Sequence, residues 1–218
     1  MSDMKDRADQ GHAGTSCAEH VRRYAEYLAG LLRRLDTAAV EKIATVLEEA
    51  RRDGRTIYFV GNGGSAATAS HFATDFAQGA GAPEEAPFRA LSLTDNLAAL
   101  TALGNDVGYD QVFVGQLRSL FRPGDVLVAI SASGNSENVL RAVEFANARA
   151  GVTVGLVGFD GGRLKRLCNA CLHVETAAGE YEVVEDIHHA ACHVIAKFVK
   201  QRLAQPAPAR HAAVAAQR

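Results

Sequence analysis

The chain has 218 residues, of which 48% are hydrophobic and 22% are charged, and its formal net charge is −2. This length and composition allow one sizeable buried core, whereas the near-zero charge gives no reason to expect binding to nucleic acid or to a membrane surface. No apolar run is long enough to span a bilayer, and the polar N-terminus is unlike a signal peptide, so a cytoplasmic location is expected.

The first part of the chain predicts a tail followed by two helices. Residues 1–16 are polar, and we expect them to form a disordered N-terminal tail. Between residues 17 and 53, apolar side chains recur at helical spacing with a break near Asp36, which predicts two amphipathic helices. Their apolar stripes are expected to bury against the core or against another subunit.

Strands and helices then alternate, which is typical of a doubly wound α/β fold. Several strand-like runs are almost continuously apolar, as expected for a parallel sheet that is covered on both faces. Five strands are predicted near residues 56–60, 88–93, 126–130, 152–157 and 171–174. The helices are predicted near residues 64–78, 95–104, 109–119, 135–149, 162–168 and 182–203. The tail at 205–218 is rich in alanine and proline, and we expect it to be disordered.

Two loops of small residues follow strand-like runs and lead into helices. We call residues 61–65, Gly-Asn-Gly-Gly-Ser, the glycine loop, and residues 131–136, Ser-Ala-Ser-Gly-Asn-Ser, the serine loop. Such loops leave backbone N–H groups free at the positive end of a helix dipole, where anions bind. The serine loop adds three hydroxyls that donate hydrogen bonds to phosphate oxygens. Neither loop has a Walker or dinucleotide-binding pattern, so the ligand is expected to be a sugar phosphate rather than a nucleotide.

Acid–base and metal-binding side chains recur at helical spacing in two segments. His71 and Asp75 are four residues apart, and Glu185, His189 and His193 form a second row with the same spacing. His188 and Cys192 lie beside this row. These groups are suited to binding zinc and also to metal-free general acid–base catalysis, and the spacing does not choose between the two.

The chain also contains four cysteines. Cys168 and Cys171 have the spacing of a redox or metal-binding pair, but no second pair completes a zinc site. We therefore expect reduced thiols with a structural role.

Taken together, these motifs resemble the SIS (sugar isomerase) domain, specifically its phosphoheptose isomerase group. The motifs that carry the resemblance are the glycine loop with the following His71-Phe72-Ala73, Gly104-Asn105-Asp106, the serine loop, and Glu185-Asp186-Ile187-His188 with His193. The resemblance covers about residues 20–203 and implies a SIS domain over residues 17–204, with N-terminal helices for oligomerisation.

The resemblance also implies roles for individual residues. The substrate would be bound by Asn62, Gly63, Gly64, Ser65, Asn105, Asp106, Ser131, Ala132, Ser133, Ser136 and Glu185. The catalytic residues would be Asp75, His193 and Glu185. One Zn²⁺ per subunit would be held by His71, Asp75, Glu185 and His193.

Three departures from the group's pattern bear on these roles. Asp75 stands where the group has a glutamate base, Glu185 where it has a glutamine, and Ala132 where it usually has a threonine. Because the Asp75 side chain is one methylene shorter, its carboxylate is displaced by up to about 1.5 Å. Either Asp75 or Glu185 therefore remains a candidate for the base.

The implied reaction converts sedoheptulose 7-phosphate to D-glycero-D-manno-heptose 7-phosphate through an enediol. The implied assembly is a homotetramer with its site at a subunit junction. Two alternatives stay open. The first is a non-catalytic SIS scaffold that binds a replication initiator, because the stretch Ala66-Ala67 after Ser65 resembles that group of SIS proteins. The second is an isomerase for another sugar phosphate.

Overall fold

A computed structural model of the chain describes residues 16–79 and 86–204. Except for Ser16, the two tails predicted from the sequence lie outside these residues. The chain divides into two compact units, and the boundary falls between Leu35 and Asp36. In the first unit, α1 (Cys17–Arg33) begins where the Ser16 hydroxyl accepts a hydrogen bond from the Glu19 amide.

The second unit opens with α2 (Thr37–Arg52), whose first turn is capped by the Asp36 carboxylate. The elements after it are β1 (Thr56–Val60), α3 (Gly64–Thr74), β2 (Arg89–Ser92), α4 (Leu97–Asp106), α5 (Val112–Leu120), β3 (Val126–Ser131), α6 (Glu137–Asn147), β4 (Val152–Val157), α7 (Leu164–Leu167), β5 (Ala170–His173) and α8 (Tyr181–Ala204). This succession confirms the alternation predicted from the sequence.

The five strands form one sheet in the order β2-β1-β3-β4-β5, and every neighbouring pair is parallel. The predicted five-stranded parallel sheet is therefore confirmed. From β1 the chain first adds β2 on one side and then crosses to place β3 on the other. The carboxyl ends of β1 and β3 thus form the topological switch point, where ligands bind in open α/β sheets.

Alternate side chains of the central strands cover opposite faces of the sheet. Tyr58 and Leu127 belong to a buried cluster that includes Phe113 of α5. Phe59, the residue after Tyr58 in β1, lies on the opposite face of the sheet. Its ring centroid is 5.2 Å from that of Phe72 in α3. Because helices cover both faces, the strands read as continuous apolar runs.

The helix predicted over residues 64–78 differs in its last turn. The α-helix α3 ends at Thr74, and Asp75–Gly79 continue it as one π-helical turn. Such wider turns occur often at functional sites, and here the turn begins at a predicted catalytic residue. Among the described residues, no helix is long and apolar enough to cross a membrane.

Candidate functional site

The glycine loop begins the site because it connects β1 to α3 without a side-chain cap. Gly63 is the N-cap of α3 and has a φ of +54°, in the left-handed region that glycine adopts without strain. As a glycine, Gly63 has no side chain with which to cap the first turn of α3. The positive end of the α3 dipole therefore faces the loop without a capping group.

The serine loop makes the matching connection between β3 and α6. Ser136 is the N-cap of α6, yet its side chain does not cap the helix and instead lies 3.3 Å from the Ser131 hydroxyl. Gly134 has a φ of +62°, and its carbonyl accepts a hydrogen bond of 2.9 Å from the Leu164 amide. The loop is thus fixed through its backbone, while the Ser131 and Ser136 hydroxyls contact each other.

The two loops line one cavity of about 290 Å³ at the switch point. The lining consists of Asn62, Gly63, Gly64, Ser65, Ile130, Ser131, Ala132, Ser133, Ser136, Tyr181 and Glu185. All the predicted substrate residues except Asn105 and Asp106 are therefore brought together. Because no lysine or arginine is among the lining residues, hydroxyls, amides and helix dipoles are the groups available to an anion.

Asn105 and Asp106 lie instead at the end of α4, where the Asn105 amide donates to the Asp106 carboxylate at 2.8 Å. The cavity is reached from this region by Tyr109, whose hydroxyl donates to the Asn62 side-chain oxygen at 2.9 Å. Asn62 also exchanges two 2.9 Å hydrogen bonds with the Asn138 side chain. Tyr109, Asn138 and Tyr181 were not predicted as site residues, because no spacing in the sequence links them to the loops.

Among the described residues, Glu185 provides the carboxylate in the cavity lining. It enters from α8 and occupies the space beside Gly64, where an added Cβ would collide with the carboxyl group. Burial raises the pKa of Glu185, and the negative charges of Glu182 and Asp186 raise it further. A carboxylate with a raised pKa is a stronger base than an exposed one.

A second group of side chains gathers where α3 meets α8. One donor atom from each of His71, His189 and His193 lies within 4.8 Å of the others. The Nε2 atoms of His71 and His193 are 2.8 Å apart. Burial lowers the pKa of His189, and the neighbouring imidazoles of His71 and His193 act in the same direction, which favours the neutral, metal-binding form of the ring.

Asp75 contacts this histidine cluster (His71, His189 and His193) through one of its members. Its Oδ2 atom lies 3.4 Å from Nε2 of His71. In a tetrahedral zinc site with ligands at 2.0–2.1 Å, neighbouring donor atoms are separated by about 3.3 Å. The imidazoles and the adjacent carboxylate therefore fit zinc in donor chemistry and in approximate spacing.

The structure thus divides the four predicted metal ligands. His71, Asp75 and His193 lie together, whereas Glu185 lines the cavity and is not among the donor atoms that lie within 4.8 Å of one another. Asp75 and His193 also line a groove of about 660 Å³ along the last turns of α8, together with Lys197 and Lys200.

Cys168 and Cys171 carry free thiols beside Gly155 of β4. Burial raises the pKa of Cys168 to about 12 and that of Cys171 to about 11. Thiols that resist ionisation are poor nucleophiles and poor metal ligands, which supports a structural role.

Comparison with known proteins relates this arrangement to one family. Residues 23–158 match the family model of the SIS domain. The phosphoheptose isomerase of Rhodospirillum rubrum is 37% identical over 187 residues, which cover 85% of this chain and 98% of the relative. The phosphoheptose isomerase of Bradyrhizobium sp. (strain ORS 278) is 40% identical over 170 residues, which cover 78% of this chain and 84% of the relative. The solved structure of phosphoheptose isomerase GmhA from Neisseria gonorrhoeae has a TM-score of 0.75 and 32% identity, covering 84% of this chain and 96% of that one.

Proposed function

The chain belongs to the SIS-domain family, and we propose that it is an aldose–ketose isomerase that interconverts sedoheptulose 7-phosphate and D-glycero-D-manno-heptose 7-phosphate. The observation that carries this proposal is the cavity at the switch point, where the serine loop and the Glu185 carboxylate line the same space. One end of the cavity suits a phosphate, and the carboxylate suits a proton transfer. The similarity to phosphoheptose isomerases over most of the chain supports the seven-carbon substrate.

The phosphate is held by hydroxyls and helix dipoles. Ser131, Ser133 and Ser136 donate to its oxygens, and α6 directs its positive end towards it. Binding energy from this non-reacting end orients the carbons near the carbonyl. Asn62, held by Tyr109 and Asn138, is positioned to contact the sugar hydroxyls.

Glu185 is the proposed base, because it is the carboxylate that lines the cavity, whereas Asp75 contacts His71. In the direction from ketose to aldose, Glu185 takes a proton from C1 and returns it to C2. The hydroxyl proton of O1 ends on O2, so the enediol intermediate needs no other reactant. The raised pKa of Glu185 increases its strength as a base for the first transfer.

His71 and His193 are proposed to hold one zinc ion per subunit, with Asp75 beside them. When bound, the ion supplies Lewis-acid polarisation of the sugar's carbonyl and hydroxyl oxygens. His193, the second predicted catalytic residue, is on this proposal also a ligand. Replacement of His193 by alanine should therefore reduce both metal binding and isomerisation.

A homotetramer with sites at subunit junctions is proposed as the working assembly. Its support is α4, which is largely apolar but has no buried residue, and whose first side chain, Leu97, is 72% exposed. Asn105 and Asp106 end this same helix and do not line the cavity of their own chain. Light scattering should give the mass of an oligomer for the wild type and a smaller mass for Leu97→Lys, and a monomeric wild type would contradict the assembly.

The activity is tested by incubating the zinc-loaded protein with sedoheptulose 7-phosphate in deuterated water. Nuclear magnetic resonance should show the aldose product with solvent deuterium at C2, because the proton on the base exchanges with solvent. Glu185→Gln should reduce kcat by about 100-fold or more. Glu182→Gln is the matched control, since Glu182 is an exposed carboxylate of the same helix, and it should keep the rate on the alkaline plateau.

Two outcomes separate this proposal from the alternatives. Turnover of a five- or six-carbon ketose phosphate in preference to the heptose would identify an isomerase for another sugar phosphate. No deuterium exchange with any phosphosugar would contradict catalysis and leave the scaffold hypothesis.

A further inference from the structure

We infer that His189 is a direct ligand of the zinc ion, so that three imidazoles, from His71, His189 and His193, hold the metal while Glu185 remains with the sugar. This inference rests on the zinc-dependent isomerase proposed above. It differs from the ligand set expected from the family resemblance, which contains Glu185 and omits His189.

The first support is the arrangement of the three rings. The ring centroid of His189 is 4.5 Å from that of His71 and 4.7 Å from that of His193. The centroids of His71 and His193 are 4.9 Å apart. The three rings are therefore nearly equidistant. A donor atom of His189 falls within the 4.8 Å limit that encloses donors of the other two, so small rotations of the imidazoles bring all three to tetrahedral spacing.

The second support is the position of Glu185 along α8. His189 precedes His193 by one turn, whereas Glu185 precedes His193 by eight residues, or about 12 Å of helix rise. The Glu185 carboxyl group is also held beside Gly64 in the cavity lining. Its oxygens are not among the donor atoms of His71, His189 and His193 that lie within 4.8 Å of one another.

The third support is the shorter carboxylate at position 75. Asp75 approaches Nε2 of His71 at 3.4 Å, but it does not join the group in which all donors lie within 4.8 Å of one another. A glutamate would reach about 1.5 Å further. With the shorter aspartate at position 75, the metal site needs a further donor atom to complete its ligands. His189, which is half-buried and lies against both His71 and His193, provides this donor.

Zinc affinity of the full-length protein tests the inference directly. The protein is stripped with a chelator and titrated with Zn²⁺ against a chromophoric competitor. Because loss of a group that merely orients a ligand costs roughly 10–100-fold in affinity, His189→Gln should weaken binding by about 100-fold or more. Glu185→Gln is the matched variant on the same helix, and its affinity should stay within about threefold of the wild type.

Counting imidazoles on the bound metal distinguishes a ligand from a neighbour. X-ray absorption of the zinc-loaded protein should show three imidazole ligands in the wild type and two in His189→Gln. Circular dichroism of the metal-free variants checks that they are folded. If His189→Gln does not fold, the wild-type imidazole count and the affinity of Glu185→Gln still decide the question.

The inference is overturned by two imidazoles in the wild type, by unchanged affinity in His189→Gln, or by a loss in Glu185→Gln as large as in His189→Gln. It is also overturned if the wild type binds no zinc. The isomerisation assay is independent: a protein that binds zinc through three histidines but converts no phosphosugar would refute the proposed function and leave the ligand set intact.

Discussion

Replacement of Gly64 by alanine should separate the activity of this protein from its stability. Gly64 is the first residue of α3, and its φ is not in the left-handed region, so the backbone there accepts alanine. What requires glycine is the Glu185 carboxyl group, which occupies the space of the missing Cβ. The new methyl group therefore displaces the end of a flexible side chain and leaves the backbone in place.

The size of each effect follows from this contact. To reach an ordinary van der Waals distance of about 3.5 Å from the new carbon, the carboxyl group has to move by about 1 Å or more. A misplacement of about 1 Å in a catalytic group costs on the order of 100-fold in rate. Alanine is favoured over glycine within a helix by about 0.5–1 kcal/mol, so the free energy of unfolding should stay the same or rise by up to about 1 kcal/mol.

Steady-state isomerisation of sedoheptulose 7-phosphate and urea unfolding measure the two effects separately. The matched control is Gly30→Ala in α1, because a Cβ at Gly30 would meet no atom within 4 Å. This control should gain a similar stability and keep its activity. Wild-type activity in Gly64→Ala would refute the placement of Glu185 at the reacting carbons, and a stability loss of several kcal/mol would refute the low cost of moving its carboxyl group.

Three further predictions concern the phosphate, acid stability and the base. Ser136→Ala should raise KM by about tenfold or more, because a hydrogen bond to a charged group contributes about 1.5–3 kcal/mol. The variant should keep the wild-type melting temperature, since the Ser136 side chain does not cap α6. An unchanged KM would indicate that the phosphate binds elsewhere. Complete burial lowers the pKa of His188 to about 4, whereas the pKa of a histidine in the unfolded chain is about 6.5. As the pH falls, the unfolded chain therefore takes up the proton first. About 3 kcal/mol of the free energy of unfolding is lost between pH 6.5 and pH 4. Urea unfolding over this range should show a smaller loss for His188→Leu, and equal losses would contradict the assignment. Because Glu182 raises the pKa of Glu185, Glu182→Gln should shift the acid limb of kcat/KM to lower pH, and an unmoved limb would indicate that another group is the base.

His188 is a polar side chain that is fully buried in the interior of the fold. Neither of its ring nitrogens has a hydrogen-bond partner among the described residues, although an interaction with the Val157 backbone offsets part of the pKa shift. A buried imidazole favours the neutral form because a charge there would be removed from water. His188 is therefore expected to contribute to the loss of stability in acid.

Local pattern predicts this fold well because its strands are buried on both sides. Runs such as Val152–Val157 are apolar at almost every position, which only a covered strand requires. The order of the strands in the sheet cannot be predicted in this way. It depends on where each connection crosses the sheet and not on the residues of any one strand. The sequence therefore predicted both loops at strand ends, whereas their meeting at the switch point emerged from the pairing of β1 with β3.

The same distinction explains what the sequence predicted about the site. A spacing of four residues places Glu185, His189 and His193 on one side of α8, but it does not indicate which of them meets α3. The π-helical turn that begins at Asp75 is likewise absent from the residue pattern. Tyr109 contacts Asn62 across 47 residues of chain, and the packing of the segment between α4 and α5 against α6 brings them together.

The geometry of α8 links the two halves of the site. Four residues of an α-helix turn about 400°, so a row with this spacing drifts by only about 40° at each step. Tyr181 and Glu185 line the cavity at the switch point, while His189 and His193, one and two turns further on from Glu185, lie against His71 of α3. With C–C bonds of about 1.5 Å, an extended seven-carbon chain and its phosphate span about 10 Å, comparable to the rise of about 12 Å from Glu185 to His193. A substrate with its phosphate at the serine loop is thus long enough for its reacting end to lie beside the face of α8 that carries Glu185 and the histidines.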